Sequence, residues 1–526
     1  MRTDGATGAP LMGTPSGEVR GSWRNGDVAV FRAVPVAAPH DGPRAFAPPR
    51  PAPSWSGTLD CADTRRRRSL RATHTATVTC PAGTGDGPHP VMVWVHGGRF
   101  ETGHADEPWY DAASLARAGC VVVALNYRKR FEGFLPLDGG DGSDGSDGGD
   151  GGDGGDVRFR GVEDLLLGLR WVRDCISDVG GDPGRVTLAG QSAGGALAAW
   201  LLTDRRADGL FHRAVLMSPG APRRGWTSRR LSTRLALRTP RHPGVAQLGA
   251  MSPEELTAAY RRFARMHATD CAVGVFPFEP GAMRPVPVLV GTMHDEFVRF
   301  PGVRQVDAVL RRTVGAVAAV ATEATEAGRT GTPEAWLVAP AMVALGVPLR
   351  SLRSWCRYVA SARPVHPLGR TVGDRTIRRW ASAFAEALAA AGAPVWAYEF
   401  RGGRYPAQHC AELPLLFDTL TVDPAEVRQV CGPDAVGRLG GPGGVGAEFR
   451  STVVGFVHGR SPGWERFRAP GRSARVFGMA GTPDGPDGPD GPEQTPDPWR
   501  AVRTLLGPLY PGRSRRPAQA RGGAGG

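Results

Sequence analysis

Apolar and polar positions along this chain follow two rhythms. Short, nearly unbroken apolar runs recur at Val91–Val95 (VMVWV), Val121–Leu125 (VVVAL), Arg185–Ala189 (RVTLA), Ala214–Met217, Val286–Val290 and Val395–Phe400. They have the length of strands, contain many β-branched residues and show no polar face, which predicts strands buried on both sides. Longer stretches between them carry helical spacing. Val162–Ile176 places apolar residues at 162, 165, 166, 169, 172 and 176, one stripe of a helix. Ala196–Leu202 predicts a second helix just after the strand that ends at Ala189. Strands alternating with helices predict an α/β fold, a mostly parallel sheet covered on both faces.

Two segments interrupt the rhythm. Gly139–Asp156 is built from Gly and Asp with two serines, so it has no apolar surface to bury and is expected to be a disordered, solvated insertion. Its aspartates fit neither the spacing of an EF-hand loop nor that of a calcium-binding nonapeptide repeat. Thr482–Pro492 repeats Gly-Pro-Asp and reads as a linker, and from Gly512 the chain is rich in Arg, Gly and Ala.

Composition narrows the class. At 41% hydrophobic and 22% charged over 526 residues, the chain has the make-up of a soluble globular protein. No stretch nears the roughly 18 apolar residues of a membrane span, and Met1–Ser16 lacks a basic start followed by an apolar run. A cytoplasmic location without a membrane partner is the expectation. The formal charge of +13 raises a polyanion partner, but Lys129 is the sole lysine and the other basic residues are arginine, beside 74 Gly and 47 Pro. That composition follows from GC-rich codons. No basic stripe interleaved with aromatics accompanies it, so no nucleic-acid partner is expected. The cysteines (61, 80, 120, 175, 271, 356, 410, 431) form no Cys-x-x-Cys pair. Free thiols are expected, with no metal and no cofactor.

The candidate chemistry begins at Gly190-Gln191-Ser192-Ala193-Gly194. Gly-x-Ser-x-Gly is weak by itself in a glycine-rich chain, but here a strand ends at Ala189 and a helix follows. That is the setting of a nucleophile elbow, in which Ser192 sits on a sharp strand-to-helix turn. His96-Gly97-Gly98-Arg99-Phe100 follows the strand Val91–Val95. A His-Gly-Gly loop there supplies backbone N–H donors to a tetrahedral intermediate, and glycine lets the backbone approach the reacting carbonyl.

With these motifs the sequence resembles the type-B carboxylesterases, the family that includes the cholinesterases. Further likenesses are Thr14-Pro15-Ser16-Gly17, Phe46-Ala47-Pro48-Pro49, Asn126-Tyr127-Arg128, Leu169-Arg170-Trp171, Gly180-Gly181-Asp182-Pro183 and Ser461-Pro462-Gly463-Trp464. The resemblance implies an α/β-hydrolase fold over residues 14–478, with helical insertions shaping the pocket and 479–526 as linker and mostly disordered tail. It implies a triad of Ser192, Glu296 and His409. Glu296 closes Gly291-Thr292-Met293-His294-Asp295-Glu296, and His409 opens His409-Cys410-Ala411-Glu412. Asp295, next to Glu296, stands open as a substitute acid. The alignment implies oxyanion donors at the backbone of Gly98, Arg99 and Ala193, with Glu412 and Phe417 in support. The implied activity is hydrolysis of small-molecule carboxylic esters through an acyl-enzyme. The alternatives are a catalytically silent binding protein and a hydrolase of amides or lactones.

Several positions depart from the family pattern. Arg99 stands where Gly or Ala is usual, which keeps the N–H donor but brings a side chain able to crowd the acyl site or draw an anionic substrate. Arg130 replaces the glycine after Asn-Tyr-Arg-x. Gln191 stands where Glu is common, which removes a carboxylate near the histidine. Arg67-Arg68-Ser69 replaces the usual Glu-Asp-Cys, so that disulfide is not expected. Arg223–Pro280, the stretch that should shape the pocket, has no close counterpart.

Overall fold

The computed structural model describes residues 1–62, 74–83, 87–136, 158–223, 225–268, 270–276, 278, 280–298, 307, 342–343, 345–361, 366–402, 405–479 and 494–507. The Gly139–Asp156 insertion, the Arg67–Ser69 departure, the Thr482–Pro492 linker and the tail from Gly512 lie outside these residues.

The apolar runs become strands of one sheet. In chain order the strands are β1 (Arg2–Thr3), β2 (Pro10–Thr14), β3 (Gly17–Arg20), β4 (Ser22–Arg24), β5 (Val28–Pro35), β6 (Thr58–Asp60), β7 (Thr75–Pro81), β8 (His89–Val95), β9 (Val121–Leu125), β10 (Gly181–Gln191), β11 (Arg213–Met217), β12 (Val288–Met293), β13 (Val395–Arg401), β14 (Ser473–Gly478) and β15 (Gln494–Pro496). The large sheet runs β15-β14-β13-β12-β11-β10-β8-β9-β7-β5-β4. Its middle, from β14 through β9, is parallel, and antiparallel strands close both ends. A smaller sheet, β1-β2-β3-β6, is built from the N-terminal residues.

Strand side chains alternate between two apolar layers. Val91, Val93 and Val95 join the layer beneath the helix α1 (Arg160–Cys175), while Met92 and Trp94 join the opposite one with Phe417 and Phe449. Burial on both faces is why these strands read as continuous apolar runs. β8 lies between β9, which follows it, and β10, which comes later from the other side. The strand order reverses there, and the crevice beyond the C-terminal strand ends at such a point is where open α/β sheets bind ligands.

Two boundaries differ from expectation. β10 starts at Gly181, with a break in register between Asp182 and Val186 that the apolar pattern does not signal. The helix after the elbow, α2 (Ala193–Leu201), starts three residues early because Ser192 itself makes the turn. Part of the stretch expected as linker and tail is ordered. β15 pairs antiparallel with β14, and the helix α5 (Arg500–Leu506) follows it. Trp499 is fully buried there and donates to the Thr292 hydroxyl of β12 at 3.0 Å. A single tryptophan with a partner is enough to anchor a short polar segment.

Candidate active site

Ser192 sits where β10 turns into α2, with φ 57° and ψ −120°. Non-glycine residues seldom adopt such a backbone, and it persists only where its surroundings enforce it. Here the Ser192 N–H donates to the Met217 carbonyl at 2.9 Å, and its carbonyl accepts from Ala196 and Gly220, each at 3.0 Å. The flanking glycines are steric requirements. A Cβ on Gly190 would lie 2.5 Å from the Gly194 carbonyl carbon, and one on Gly194 would lie 2.0 Å from the Val95 oxygen.

His409 reaches Ser192 from the loop after β13. Its Nε2 lies 2.9 Å from Ser192 Oγ and its Nδ1 lies 2.6 Å from Glu296 Oε2. Glu296 follows β12, and its backbone carbonyl also accepts from the His409 N–H at 2.9 Å. Its other carboxylate oxygen accepts from Ser218 Oγ and the Met293 N–H, each at 2.9 Å. Three side chains spread over more than 200 positions thus form one chain of hydrogen bonds, with the carboxylate buried and fully engaged. Asp295 is committed elsewhere. It pairs with Arg370 at 2.8 Å and accepts from the Ala407 N–H at 3.2 Å. Burial pushes its carboxyl up, but the His294 hydrogen bond and the charges of His294 and Arg370 outweigh this and hold it below the usual range. It is not available as a substitute acid.

The His96–Phe100 loop lies against the nucleophile. A Cβ on Gly97 would meet the Gln191 carbonyl at 3.1 Å and Ser192 Cβ at 3.3 Å. Gly98, Arg99 and Phe100 all have positive φ (111°, 57° and 64°), so this loop carries backbone strain beside the elbow. Ala193 opens α2, where N–H groups have no carbonyl partner within the helix. The Arg99 side chain is anchored on the 223–280 segment. It donates to the Asp270 carbonyl at 2.9 Å and lies 3.9 Å from Glu101. The Asp270 carboxylate in turn holds Arg229 at 2.8 Å and the Arg223 N–H at 3.0 Å. Arg130 has φ 57°, the backbone that explains why glycine is usual there.

Gln191 places its amide 3.4 Å from both His409 Nε2 and Cys410 Sγ. Glu412 is fully buried, and neither of its oxygens has a hydrogen-bond partner. Burial first, and the neighbouring Glu296 second, push its carboxyl up to about 7. Phe417 stacks edge-on with Trp94 in the opposite apolar layer, at 5.0 Å between ring centres. Ser218 escaped the sequence reading, although a hydroxyl at the end of a strand beside the acid-bearing strand was a usable signal. Cys80, Cys120, Cys175, Cys271, Cys410 and Cys431 are free thiols. Among the described residues no group of His, Cys, Asp and Glu has the arrangement of a metal site, and no helix is long and apolar enough to cross a membrane.

Comparison with known proteins bears on this arrangement. Residues 8–262 match the carboxylesterase family. A fumonisin B1 esterase of Sphingopyxis macrogoltabida is 29% identical over 90% of this chain and 87% of its own. The chain is thus similar to carboxylesterases along most of its length. Another relative is the para-nitrobenzyl esterase of Bacillus subtilis, which is 32% identical over 54% of this chain and 63% of its own. Among solved structures, a thermophilic PNB esterase superposes with a TM-score of 0.70 at 24% identity, covering 95% of this chain and 100% of that one. A Geobacillus stearothermophilus carboxylesterase gives 0.69 at 23% identity, over 94% and 99%. These superpositions establish the α/β-hydrolase fold. The protein is an ester-hydrolysing enzyme.

Proposed function

We propose that this enzyme cleaves its ester through an acyl-enzyme on Ser192, with His409 as general base and acid and Glu296 as the carboxylate that orients it. The observation that carries this reading is the continuous path from Ser192 Oγ to His409 Nε2 (2.9 Å) and from His409 Nδ1 to Glu296 Oε2 (2.6 Å). Ser192 Oγ attacks the ester carbonyl as His409 takes its proton. Glu296 fixes the tautomer with Nδ1–H and stabilises the imidazolium without taking the proton. The N–H groups of Gly98, Arg99 and Ala193 receive the oxyanion, a contribution of about 3–4 kcal/mol per donor in comparable sites. His409 then protonates the departing alcohol, and water deacylates Ser192 by the reverse path. The chemistry needs no cofactor, and its substrate is a small-molecule ester.

The expected result is turnover of short-chain p-nitrophenyl esters, a stoichiometric burst, and covalent labelling of Ser192 by an organophosphate. Ser192→Ala abolishes labelling and lowers kcat by about 10⁴-fold or more. A folded wild type with neither burst nor label would mean a silent binding protein. Faster turnover of matched amides or lactones than of esters would move the substrate class.

A further inference from the structure

The residues after Gly373 bring one helix to both ends of the catalytic relay. The helix α3 (Pro367–Gly373) continues through a π-helical turn, Asp374–Arg378, into α4 (Arg379–Ala390). At Gly373 it runs so close to the acid that an added Cβ would lie 2.9 Å from Glu296 Cβ. One turn later Ile377, which is 1% exposed, packs on Gly220, the residue that borders the nucleophile. A Cβ placed on Gly220 would be 2.6 Å from Ile377 Cδ1 and 3.7 Å from Ser192 Oγ. Between Gly220 and Ile377 there is therefore no room even for a methyl group unless Ile377 shifts, so Ile377 closes that side of the space beside Ser192. π-Helical turns inside α-helices often mark functional positions.

The directions around Ser192 identify what occupies that space. In the tetrahedral intermediate one substituent is Oγ. The oxyanion points to the His96–Arg99 loop and Ala193, and the leaving oxygen must stay within reach of His409 Nε2. The acyl substituent takes the remaining side, where Gly220 and Ile377 meet. The surroundings on that side are fixed, and Ile377 shares them with the Thr376 carbonyl, which would lie 3.7 Å from the same Cβ on Gly220. Trp380 of α4 donates to the Ala221 carbonyl at 2.9 Å and packs against Phe278, with ring centres 5.1 Å apart. The π-helical turn itself is pinned. Arg378 binds Asp374 at 2.7 Å and Glu399 at 2.8 Å, all three buried, and donates to the Pro498 carbonyl at 2.9 Å.

We propose that Ile377, held over Ser192 by this π-helical turn, is the residue that sets acyl-chain length, and that the enzyme is matched to short, uncharged acyl groups. This rests on Ser192 being the nucleophile. The test is kcat/KM for p-nitrophenyl esters from acetate to decanoate, run beside a second series of acetate esters with varied alcohols. Wild type is expected to favour acetate and propionate. Ile377→Ala is expected to raise the hexanoate-to-acetate ratio by about tenfold or more, the scale on which one methylene is discriminated in an apolar pocket. The order along the alcohol series stays unchanged. Gly220→Ala, whose methyl presses on Ile377 Cδ1, is expected to sharpen the preference for acetate. Adding Ile377→Val removes that carbon and restores the wild-type profile, which keeps the test open should the alanine variant at 377 fail to fold.

An unchanged acyl profile in Ile377→Ala overturns the proposal, as does a parallel change along the alcohol series, since general loosening would produce that. A wild type that is labelled at Ser192 yet prefers long chains overturns it while leaving the triad intact. A wild type that is neither labelled nor active removes the triad reading and this one with it.

Discussion

A single carboxyl group, Glu412, makes the site's response to pH readable. It lies three positions after His409, buried and without a hydrogen-bond partner. Its pKa rises from 4.5 to about 7 on folding. Between those values the folded chain keeps a proton that the unfolded chain releases. Its contribution to stability is therefore complete below pH 4.5, falls as pH rises, and is gone above about pH 7. Glu412→Gln is expected to remove this slope. Denaturant unfolding should show wild type losing about 1–3 kcal/mol from pH 5 to 7.5, relative to the variant. Identical slopes would mean that Glu412 ionises freely. The residue level also marks where the sequence was least legible. Arg99 reads as a threat to the acyl site, yet its guanidinium is tied to Asp270 on a segment with no recognisable pattern. Arg130 looks anomalous only until its positive φ is seen, because side-chain identity does not reveal backbone angle.

Elements are held together by a few buried charges. Arg128, in the Asn-Tyr-Arg sequence after β9, makes two bonds to Asp164 of α1, at 2.7 and 3.0 Å. It also donates to the carbonyls of Ala45 and Ala47, at 3.0 and 2.6 Å. One side chain thus fastens the sheet to its covering helix and to the N-terminal Phe46-Ala47-Pro48 stretch. Burial pushes the Asp164 carboxyl up, but the Arg128 charge and hydrogen bonds hold it below its ordinary value. Asp164→Asn leaves a buried guanidinium half-paired, and a loss of about 3–5 kcal/mol is expected. Arg128→Met with Asp164→Leu should recover much of that. If the single variant costs under about 1 kcal/mol, the pair is not the fastening. The central strands were legible because burial on both faces leaves unbroken apolar runs, and α1 because burial along one stripe imposes a period of 3.6. The N-terminal strands β1–β4 were not, being short, half-exposed and rich in turn residues.

Across the whole molecule, the proposed triad could be named from the sequence because each of its members sits in a local motif, while the hydrogen bonds that join them depend on contacts that no local pattern encodes. The C-terminal strand and helix show the same limit. Gly-Pro-Asp repeats make Thr482–Pro492 read as a linker and 479–526 as linker and tail, and that reading hid Trp499, whose burial depends on Thr292 and Phe467. Trp499→Ala is expected to cost about 3–5 kcal/mol and to loosen the π-helical turn that shares Pro498 with Arg378. Thermal unfolding measures the first, and a broadened acyl profile measures the second. A variant with wild-type stability would show that this segment merely decorates the sheet.

The oxyanion loop and the elbow hang from the neighbouring strands β8 and β10, bonded to each other from Val91–Val186 to Val95–Gly190. Between them the chain leaves to make β9 and α1 before returning. Lengthening that detour adds only closure entropy, which grows with the logarithm of its length, and leaves the spacing between the two backbone N–H sources untouched. Gly139–Asp156 falls on that detour. An evolving lineage can write almost anything there without disturbing the bond-breaking apparatus a few strands away.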